Sequence, residues 1–292
     1  MKKKTSLGSN VFDIFNYAFL AFCAIITILP FIYVIAASFA TDVEIAARPF
    51  FLFPKKPTLE TYRYIFASES IIHSLFVSIY VTVVGTLVNL FFTFTMAYPL
   101  SKSNIVGKNW IINGIIFCML FSGGMIPTYI VIKSLHLLDT YWALWLPGAI
   151  SPFNLFIVRN FFQQLPNELE EAAKIDGCST IGIFLRIILP LSMPIIATFT
   201  LFYGVGHWNN FFGPLLYIND SNKWPLQVML RNIVLLSSGI MSDLSQFDPN
   251  FVPPEESLKM GVIVVGTVPI LLVYPFLQKY FVKGVLVGSL KG

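Results

Sequence analysis

The residues best suited to bind another molecule form a short charged segment, 163–186, between two long apolar runs. Glu168 and Glu171 favour the start of a helix, where the helix dipole is positive. Gly177 suits the left-handed residue that ends a helix, and Ser179 can then cap a second helix. The pattern therefore predicts a short helix of about three turns, and its chemistry is that of a docking surface.

Two faces are expected on this helix. Leu165, Leu169, Ala172 and Asp176 follow the i, i+4, i+7, i+11 spacing of one helical face. Ala172 and Ala173 are small enough to let a second protein approach the backbone closely. On composition alone, an ordinary amphipathic loop helix is a more frequent source of this pattern than a docking helix.

Catalytic and metal sites are not indicated elsewhere. The histidines are dispersed near predicted span ends, without an HExxH motif or the spacing of a nucleophile and its base; they are His73, His136 and His207. The cysteines are odd in number and lack CxxC spacing, which favours packing over a disulfide or zinc site; they are Cys23, Cys118 and Cys178. We assign no catalytic residue and no metal ligand, and expect no enzyme activity.

A phosphate-binding loop is also missing from the sequence. Gly107-Lys108 is followed by Asn109 and lacks the preceding Gly of the G-x-x-x-x-G-K-[ST] motif. Any ATP and Mg²⁺ would have to be handled by another chain. Basic residues are scattered without interleaved aromatics, which argues against nucleic acid as a partner.

The composition is that of a chain embedded in lipid. Hydrophobic residues make up 56% and charged residues only 12%, against roughly 25% charged in an average soluble domain. A span needs about 20 mostly apolar residues. We predict an all-α membrane protein with six transmembrane helices, at 12–38, 71–100, 110–132, 141–162, 187–208 and 258–281.

Orientation follows from the positive residues. Of 19 Lys and Arg, 11 fall on the side that carries both termini and the charged segment, which the positive-inside rule places in the cytoplasm. The predicted organisation is a cytoplasmic N-terminus at 1–11, a transmembrane domain at 12–282, and a cytoplasmic tail at 283–292. The long outer loop, 209–257, is expected either to contact a partner or to form a self-packed cap, with neither favoured.

The spacing of the charged segment resembles a known signature. It resembles the EAA signature of the permease subunits of binding-protein-dependent ABC importers. The matching residues are Glu171-Ala172-Ala173, then Gly177 after three residues, Ile187 after nine more, and Leu189-Pro190 after one more. Cys178 departs from the Ala that is commoner after this Gly. The resemblance covers nearly the whole chain.

The resemblance implies a fold, partners and a mechanism. The fold would be that of a type I ABC importer permease, which works with a second permease subunit, two ATPase subunits and an extracytoplasmic solute-binding protein in the bacterial inner membrane. The charged segment would be the coupling helix that docks in an ATPase cleft. The residues implied for this contact are Glu168, Glu171, Ala172, Ala173, Asp176 and Gly177.

Two further segments resemble the carbohydrate-uptake, maltose-type branch of these permeases. One is Trp208-Asn209-x-Phe211-x-x-Pro214-Leu215. The other is the ending 278–292, which resembles the tail of the second permease subunit and would reach between the ATPases. The residues implied for this contact are Gly288, Ser289, Lys291 and Gly292.

The substrate implied by the resemblance is an oligosaccharide. Segments 122–129 and 151–156 look like those of permeases for complex or acidic plant and algal oligosaccharides. Polar residues within apolar runs are candidates for the sugar path, namely Asn89, Thr93, Asn113 and Asn154. Each could instead make an interhelical hydrogen bond, the more frequent role for such a residue.

Two other functions stay open. An ion-driven secondary transporter would need ionisable groups or unwound helices within the spans, and the sequence offers neither clearly. An ABC permease for a solute other than a sugar fits the EAA signature equally well.

Overall fold

A computed structural model describes residues 7–103, 105–237 and 256–289. In this part of the chain every regular element is helical. The N-terminal helices are α1 (Leu7–Ser38), α2 (Asp42–Ala47), α3 (Glu60–Ala67), α4 (Glu69–Ser101), α5 (Lys108–Leu120), α6 (Met125–Ser134) and α7 (Trp142–Trp145). The later ones are α8 (Pro152–Gln163), α9 (Asn167–Ile175), α10 (Thr180–Ile183), α11 (Leu189–Leu191), α12 (Met193–Trp208), α13 (Phe212–Tyr217), α14 (Leu226–Ser237) and α15 (Glu256–Ser289).

The described chain divides into two compact units. The first contains the residues up to Glu69 and those from Asn232 to Thr267, and the second contains Ser70–Arg231 and the residues from Val268 onward. Both units draw on α14 and α15, because these helices continue from one unit into the other.

The first unit is built on small residues at the end of α1. Ala36, Ala37 and Ala40 pack with Phe51 as its buried cluster. The hydroxyl groups of Ser38 and Tyr62 lie 2.7 Å apart and share a hydrogen bond. Helix α3 therefore packs on the end of α1 through Tyr62.

Three helices are long and apolar enough to cross a membrane, at Phe12–Ser38, Glu69–Ser101 and Glu256–Val273 within the described residues. Two further candidates are bent pairs. The chain bends by 119° between α5 and α6, and by 79° between Thr180–Leu191 and α12. The described part of the chain thus offers three to five candidate spans by length and composition.

The bend between α5 and α6 follows from local sequence. Gly124, the residue before α6, has φ +87°, a conformation that glycine adopts at little cost. The third predicted span, 110–132, is therefore two helices. Length and apolarity alone did not reveal this break.

The prediction of one helix over 141–162 is wrong. Residues Trp142–Trp145 form α7, and α8 begins only at Pro152. Pro147 and Gly148 lie between the two helices and disfavour a continuous helix. The Ser151 hydroxyl accepts a hydrogen bond from the Asn154 amide at 3.5 Å and so starts α8 afresh.

The second unit has its main core where α4, α8 and α9–α12 meet. Phe199, Leu155, Val158 and Ile183 are buried there, each 0–1% exposed. Tyr98 of α4 packs edge-on against Phe162 of α8, with ring centres 6.0 Å apart. This core holds the charged segment against the end of α4.

The first part of the predicted outer loop packs on its own chain. Ile218 belongs to a buried cluster with Trp145 and Val77, and the Leu226 amide donates to the Ser78 hydroxyl at 2.7 Å. The rest of the loop, 238–255, lies outside the described residues. Ile218 and Leu226 are thus anchored to their own chain, and the self-packed cap and the partner contact both stay predictions for the loop as a whole.

Candidate functional site

The charged segment forms α9, with both ends shaped by its own sequence. The helix begins immediately after Pro166 and ends before Gly177, whose φ is +79°. The Cys178 amide donates to the Ala173 carbonyl at 2.9 Å, and the Gly177 amide donates to the Lys174 carbonyl at 3.0 Å. This left-handed ending, predicted from Gly177, satisfies carbonyl groups that the helix leaves unpaired.

A second cap follows at once. The Ser179 hydroxyl accepts a hydrogen bond from the Gly182 amide at 3.2 Å and starts α10. The predicted capping role of Ser179 is confirmed. Only Asp176, Gly177 and Cys178 separate α9 from this cap, so the turn between the helices is short and well defined.

The side chains of α9 divide between an outer and an inner face. Glu168, Glu171 and Ala172 are exposed, as are Asp176 and Gly177 after the helix. Ala173 is only 6% exposed and packs in the main core. The two alanines therefore have different environments, and Ala173 faces its own chain rather than solvent.

Large apolar side chains extend the outer face. Leu169 is 42% exposed, Ile175 87% and Ile181 72%. Ile175 lies one helical turn from Glu171, so an exposed apolar side chain and an exposed acid share one face, the kind of surface that binds another protein. Ile175 and Ile181 were not among the predicted site residues, although an Ile at the end of a charged helix is a signal of an exposed apolar contact.

One acidic residue of α9 is turned inward. Glu170 is 7% exposed, and its Oε1 pairs with Nζ of Lys102 at the end of α4. This ion pair was not predicted. The two residues are 68 positions apart, so no local sequence pattern indicates that they are in contact.

The polar residues predicted for a sugar path are partly engaged inside the chain. Asn89 is 2% exposed, and its Nδ2 donates to the Gly148 carbonyl at 2.5 Å and the Ala149 carbonyl at 3.1 Å. Its Oδ1 accepts from Nε2 of His207 at 2.5 Å. Asn89 thus joins α4, the 146–151 break and α12.

His207 has room only because residue 85 is glycine. A Cβ atom at Gly85 would lie 2.6 Å from Nε2 of His207, closer than van der Waals contact permits. Helices α4 and α12 therefore approach closely at this point. The imidazole fills the space that a side chain at position 85 would need.

Thr93 is also enclosed, whereas the remaining two candidates are accessible. The Thr93 hydroxyl shares a 2.8 Å hydrogen bond with the Tyr203 hydroxyl, and Thr93 is fully buried. Asn113 on α5 is exposed and Asn154 on α8 is partly buried. The structure thus does not bring the four residues to one common surface.

A cavity of about 560 Å³ lies between α4, α12 and α15 in the second unit. Leu87, Leu201 and Ile270 are typical of its wall, and Thr86 adds a buried hydroxyl without a hydrogen-bond partner. This lining suits hydrocarbon better than a hydroxyl-rich sugar, which needs several hydrogen bonds.

The predicted ATPase-contacting tail is described only in part. Gly288 and Ser289 belong to the last turn of α15, which continues beyond the predicted span end at residue 281. Lys291 and Gly292 lie outside the described residues.

A turn near residue 139 binds the 217–224 segment. Oδ1 of Asp139 accepts from the amides of Asn219 and Asp220, at 3.1 and 3.0 Å. The Asp220 amide, with help from the Lys223 ammonium, lowers the pKa of the Asp139 carboxyl despite opposing desolvation. Asp139 itself has φ +60°.

Comparison with known proteins agrees with this architecture. Protein LplC of Bacillus subtilis (strain 168) is 63% identical over 287 residues, covering 98% of this chain and 96% of LplC. The polygalacturonan/rhamnogalacturonan transport system permease protein YtcP of the same organism is 55% identical over 286 residues, covering 98% and 100%.

A solved structure has the same fold. It is described as a bacterial ABC transporter involved in the import of the acidic polysaccharide alginate. The TM-score is 0.87 at 29% identity, covering 95% of this chain and 99% of that one. The broken helices of this chain therefore fit an ABC importer permease fold.

The family model for the binding-protein-dependent transport system inner membrane component matches residues 3–287. Such subunits are transport permeases and not catalytic enzymes, in agreement with the absence of catalytic motifs from the sequence. This chain belongs to the family of binding-protein-dependent transport system inner membrane components and is a multi-pass membrane protein.

Proposed function

We propose that the chain is one of two permease subunits of an ABC importer for acidic oligosaccharides in the bacterial cell (inner) membrane. The observation that carries the proposal is the outer face of α9, where Glu168, Glu171 and Ile175 follow the i, i+3, i+7 spacing of one helical face and are all exposed. A fixed helix with an exposed apolar and acidic face fits a docking site on an ATPase subunit. Six spans, with both termini cytoplasmic, are part of the proposal.

The chain would work in a complex. Its partners are a second permease subunit, two ATPase subunits that hold ATP and Mg²⁺, and an extracytoplasmic solute-binding protein. The residues of α9 and its end that would contact an ATPase are Glu168, Glu171, Ala172, Asp176 and Gly177, while buried Ala173 packs behind them. The residues of the tail that would make the second contact are Gly288, Ser289, Lys291 and Gly292.

The mechanism we infer is alternating access. ATP binding closes the two ATPases and draws the docked α9 with them, which opens the outer side of the permease pair to the loaded binding protein. Hydrolysis resets the inward-facing state. A rigid α9 is needed for this, because a loose joint would not bias two discrete states.

Names of similar proteins support an acidic sugar as substrate. YtcP is named for polygalacturonan and rhamnogalacturonan, and the structurally similar transporter for alginate. A related permease of Halalkalibacterium halodurans, 30% identical over the whole of both chains, is named for arabinooligosaccharides. Two of these three names refer to acidic polysaccharides, so we place the substrate in that class.

Two rivals make different predictions. An ion-driven secondary transporter would import solute without ATPase subunits, and an ABC permease for another solute would be indifferent to sugars. The family match counts against the first rival, and the sugar-related names count against the second.

The test is transport by the complete complex. The chain, its second permease, the ATPases and the binding protein are reconstituted in liposomes, and ATPase rate and uptake are measured. An oligogalacturonate, an alginate oligomer and a neutral arabino-oligosaccharide serve as substrates. We expect ATP-dependent uptake of at least one acidic oligomer, and binding-protein-stimulated ATPase activity.

Contrary results are equally clear. Uptake that follows an imposed ion gradient without ATP would favour a secondary transporter. ATP-dependent uptake of only the neutral sugar would overturn the acidic-substrate proposal and leave the permease assignment standing.

A further inference from the structure

Glu170 is a buried acid on a helix whose other acids are exposed. It is 7% exposed, whereas Glu168 and Glu171 face solvent. A buried carboxylate is costly unless it is paired, and Nζ of Lys102 supplies that partner. The same Nζ lies 4.8 Å from the ring centre of Tyr98, a cation–π contact. Each member of the pair therefore has a specific contact: the carboxylate with the ammonium, and the ammonium also with the Tyr98 ring.

The end of α4 that carries Lys102 is held by other side chains. The Leu100 carbonyl accepts from Nε of Arg159 at 2.9 Å, and the Lys102 carbonyl accepts from Nζ of Lys108. The Ser101 carbonyl accepts from the Gln163 amide at 3.4 Å. Cationic groups are favourable at a helix C-terminus because its dipole is negative there. Helix α4 is thus fixed to α8 and to the start of α5.

Apolar contacts complete the junction. Ala173 packs on the inner face of α9 in the same cluster as Tyr98, Phe162 and Ile183. The Tyr98 and Phe184 rings lie 4.9 Å apart. Packing of this kind resists separation but gives little directional preference. The Lys102–Glu170 pair is the charged link that joins α9 to α4 directly.

Helix α4 leads from this junction to the polar residues in its middle. Asn89 lies 12 residues before the end of the helix, about 18 Å away at 1.5 Å per residue. Asn89 bonds to Gly148 and His207, and Thr93 bonds to Tyr203. A displacement of the end of α4 would therefore reach both the 146–151 break and α12.

We propose that the Lys102–Glu170 ion pair is the joint that passes movement of α9 to α4. The inference rests on the proposed function. Both residues are positioning residues, because Glu170 is turned away from the surface that would meet an ATPase. Its neighbour Glu171 would contact the ATPase, and Glu170 would pass the movement of α9 to Lys102.

The experiment uses the complete complex in lipid nanodiscs or liposomes. The variants are Lys102→Met, Glu170→Gln, Lys102→Arg and the charge-swapped double variant with Lys102→Glu and Glu170→Lys. Control variants make the same substitutions at exposed Lys and Glu residues elsewhere, with Lys133→Met and Glu60→Gln. The readouts are ATPase subunits retained on purification and sugar imported per ATP hydrolysed.

We expect both neutral single variants to retain their ATPases, because the outer face of α9 is untouched. Sugar imported per ATP should fall by roughly fivefold or more, as for loss of an ordinary coupling energy. The Lys102→Arg variant and the charge-swapped variant should recover most of it. Both controls should match the wild type.

A purely structural pair would give a different result. Lower yield and lower activity with an unchanged amount of sugar per ATP would overturn the proposal, and so would wild-type coupling in both neutral variants. Failure of the charge swap to improve on the single variants would also overturn it. Failure of the proposed function is distinct, because the wild-type complex itself would then lack binding-protein-stimulated ATPase activity.

Discussion

Single residues on α9 have sharply different tasks although they are adjacent in sequence. Glu170 and Ala173 bind the helix to its own chain, while Glu171 and Ala172 remain accessible. A helix of nine residues completes only two and a half turns. Neighbouring positions must therefore serve opposite faces, and an alanine can be an anchor or a contact depending on a rotation of about 100°.

Gly177→Ala tests the left-handed end of α9. A Cβ atom there meets nothing within 4 Å, so the cost is backbone strain alone, about 1 kcal/mol. The melting temperature of the purified protein should fall. Gly206→Ala is the matched control, because its Cβ also meets nothing within 4 Å but its backbone is helical. A Gly177→Ala variant at least as stable as Gly206→Ala would contradict the strain argument.

Local chemistry explains which residue roles were predictable. Gly177 and Ser179 act on backbone groups within a few positions, so their types alone indicated a helix end and a cap. Glu170 acts on Lys102, 68 positions away. Its burial depends on how α4 and α9 pack, and the sequence shows three similar acids within four positions without distinguishing this one.

At the scale of elements, apolar length was a good guide to three long helices and a poor guide to the broken ones. The run 141–162 is apolar enough for a span, yet Pro147, Gly148 and Pro152 divide it. Apolarity reports which residues avoid water, whereas helix continuity depends on individual backbone groups. The 79° bend at Ser192 has a comparable signal, since Pro190 and Pro194 lie in the first turns of the helices on either side of it.

The turn at Asp139 provides a pH test of one such element. Its carboxyl has a pKa below the ordinary 3.8, chiefly because the Asp220 amide donates to the ionised form. A lowered pKa means that the bond contributes stability above the unfolded value and loses it as pH falls through the folded value. Hydrogen-exchange protection of the Asn219 and Asp220 amides should therefore decline below about pH 4.

Asp139→Asn is the control for this prediction. Asn also tolerates the left-handed backbone and keeps one acceptor oxygen, but it carries no charge. Protection at pH 7 should be lower than in the wild type, and it should not change further in the acid range. Equal protection in the two proteins would show that the carboxylate does not hold the turn.

For the whole molecule, the exposed surface is largely apolar and needs lipid or a partner. None of the most apolar window of α1 is buried within the chain, and Phe12, Phe15 and Tyr17 are each at least 67% exposed. A polar side chain on such a surface is costly in hydrocarbon. Exposed Asn113 on α5 is thus expected to face the second permease or the sugar path.

Alanine substitution should separate Asn113 from Asn89. Asn113→Ala should lower sugar uptake at unchanged expression, because the lost amide serves another molecule. Asn89→Ala should lower expression and thermal stability, by about 1–3 kcal/mol, since it leaves buried partners unpaired. Cys118→Ala, an exposed change on the same helix, is the control. Normal uptake by Asn113→Ala at matched expression would remove Asn113 from the path.

The close approach of α4 and α12 at Gly85 also restricts how this chain can evolve. An Ala at position 85 would place its Cβ 2.6 Å from Nε2 of His207, and a smaller residue at 207 would leave Oδ1 of Asn89 without its donor. Single steps at either position are therefore unfavourable, and a change at 89 would also leave the Gly148 and Ala149 carbonyls without their donor. Positions 85, 89 and 207 should vary together among descendants of this sequence, as one inherited unit.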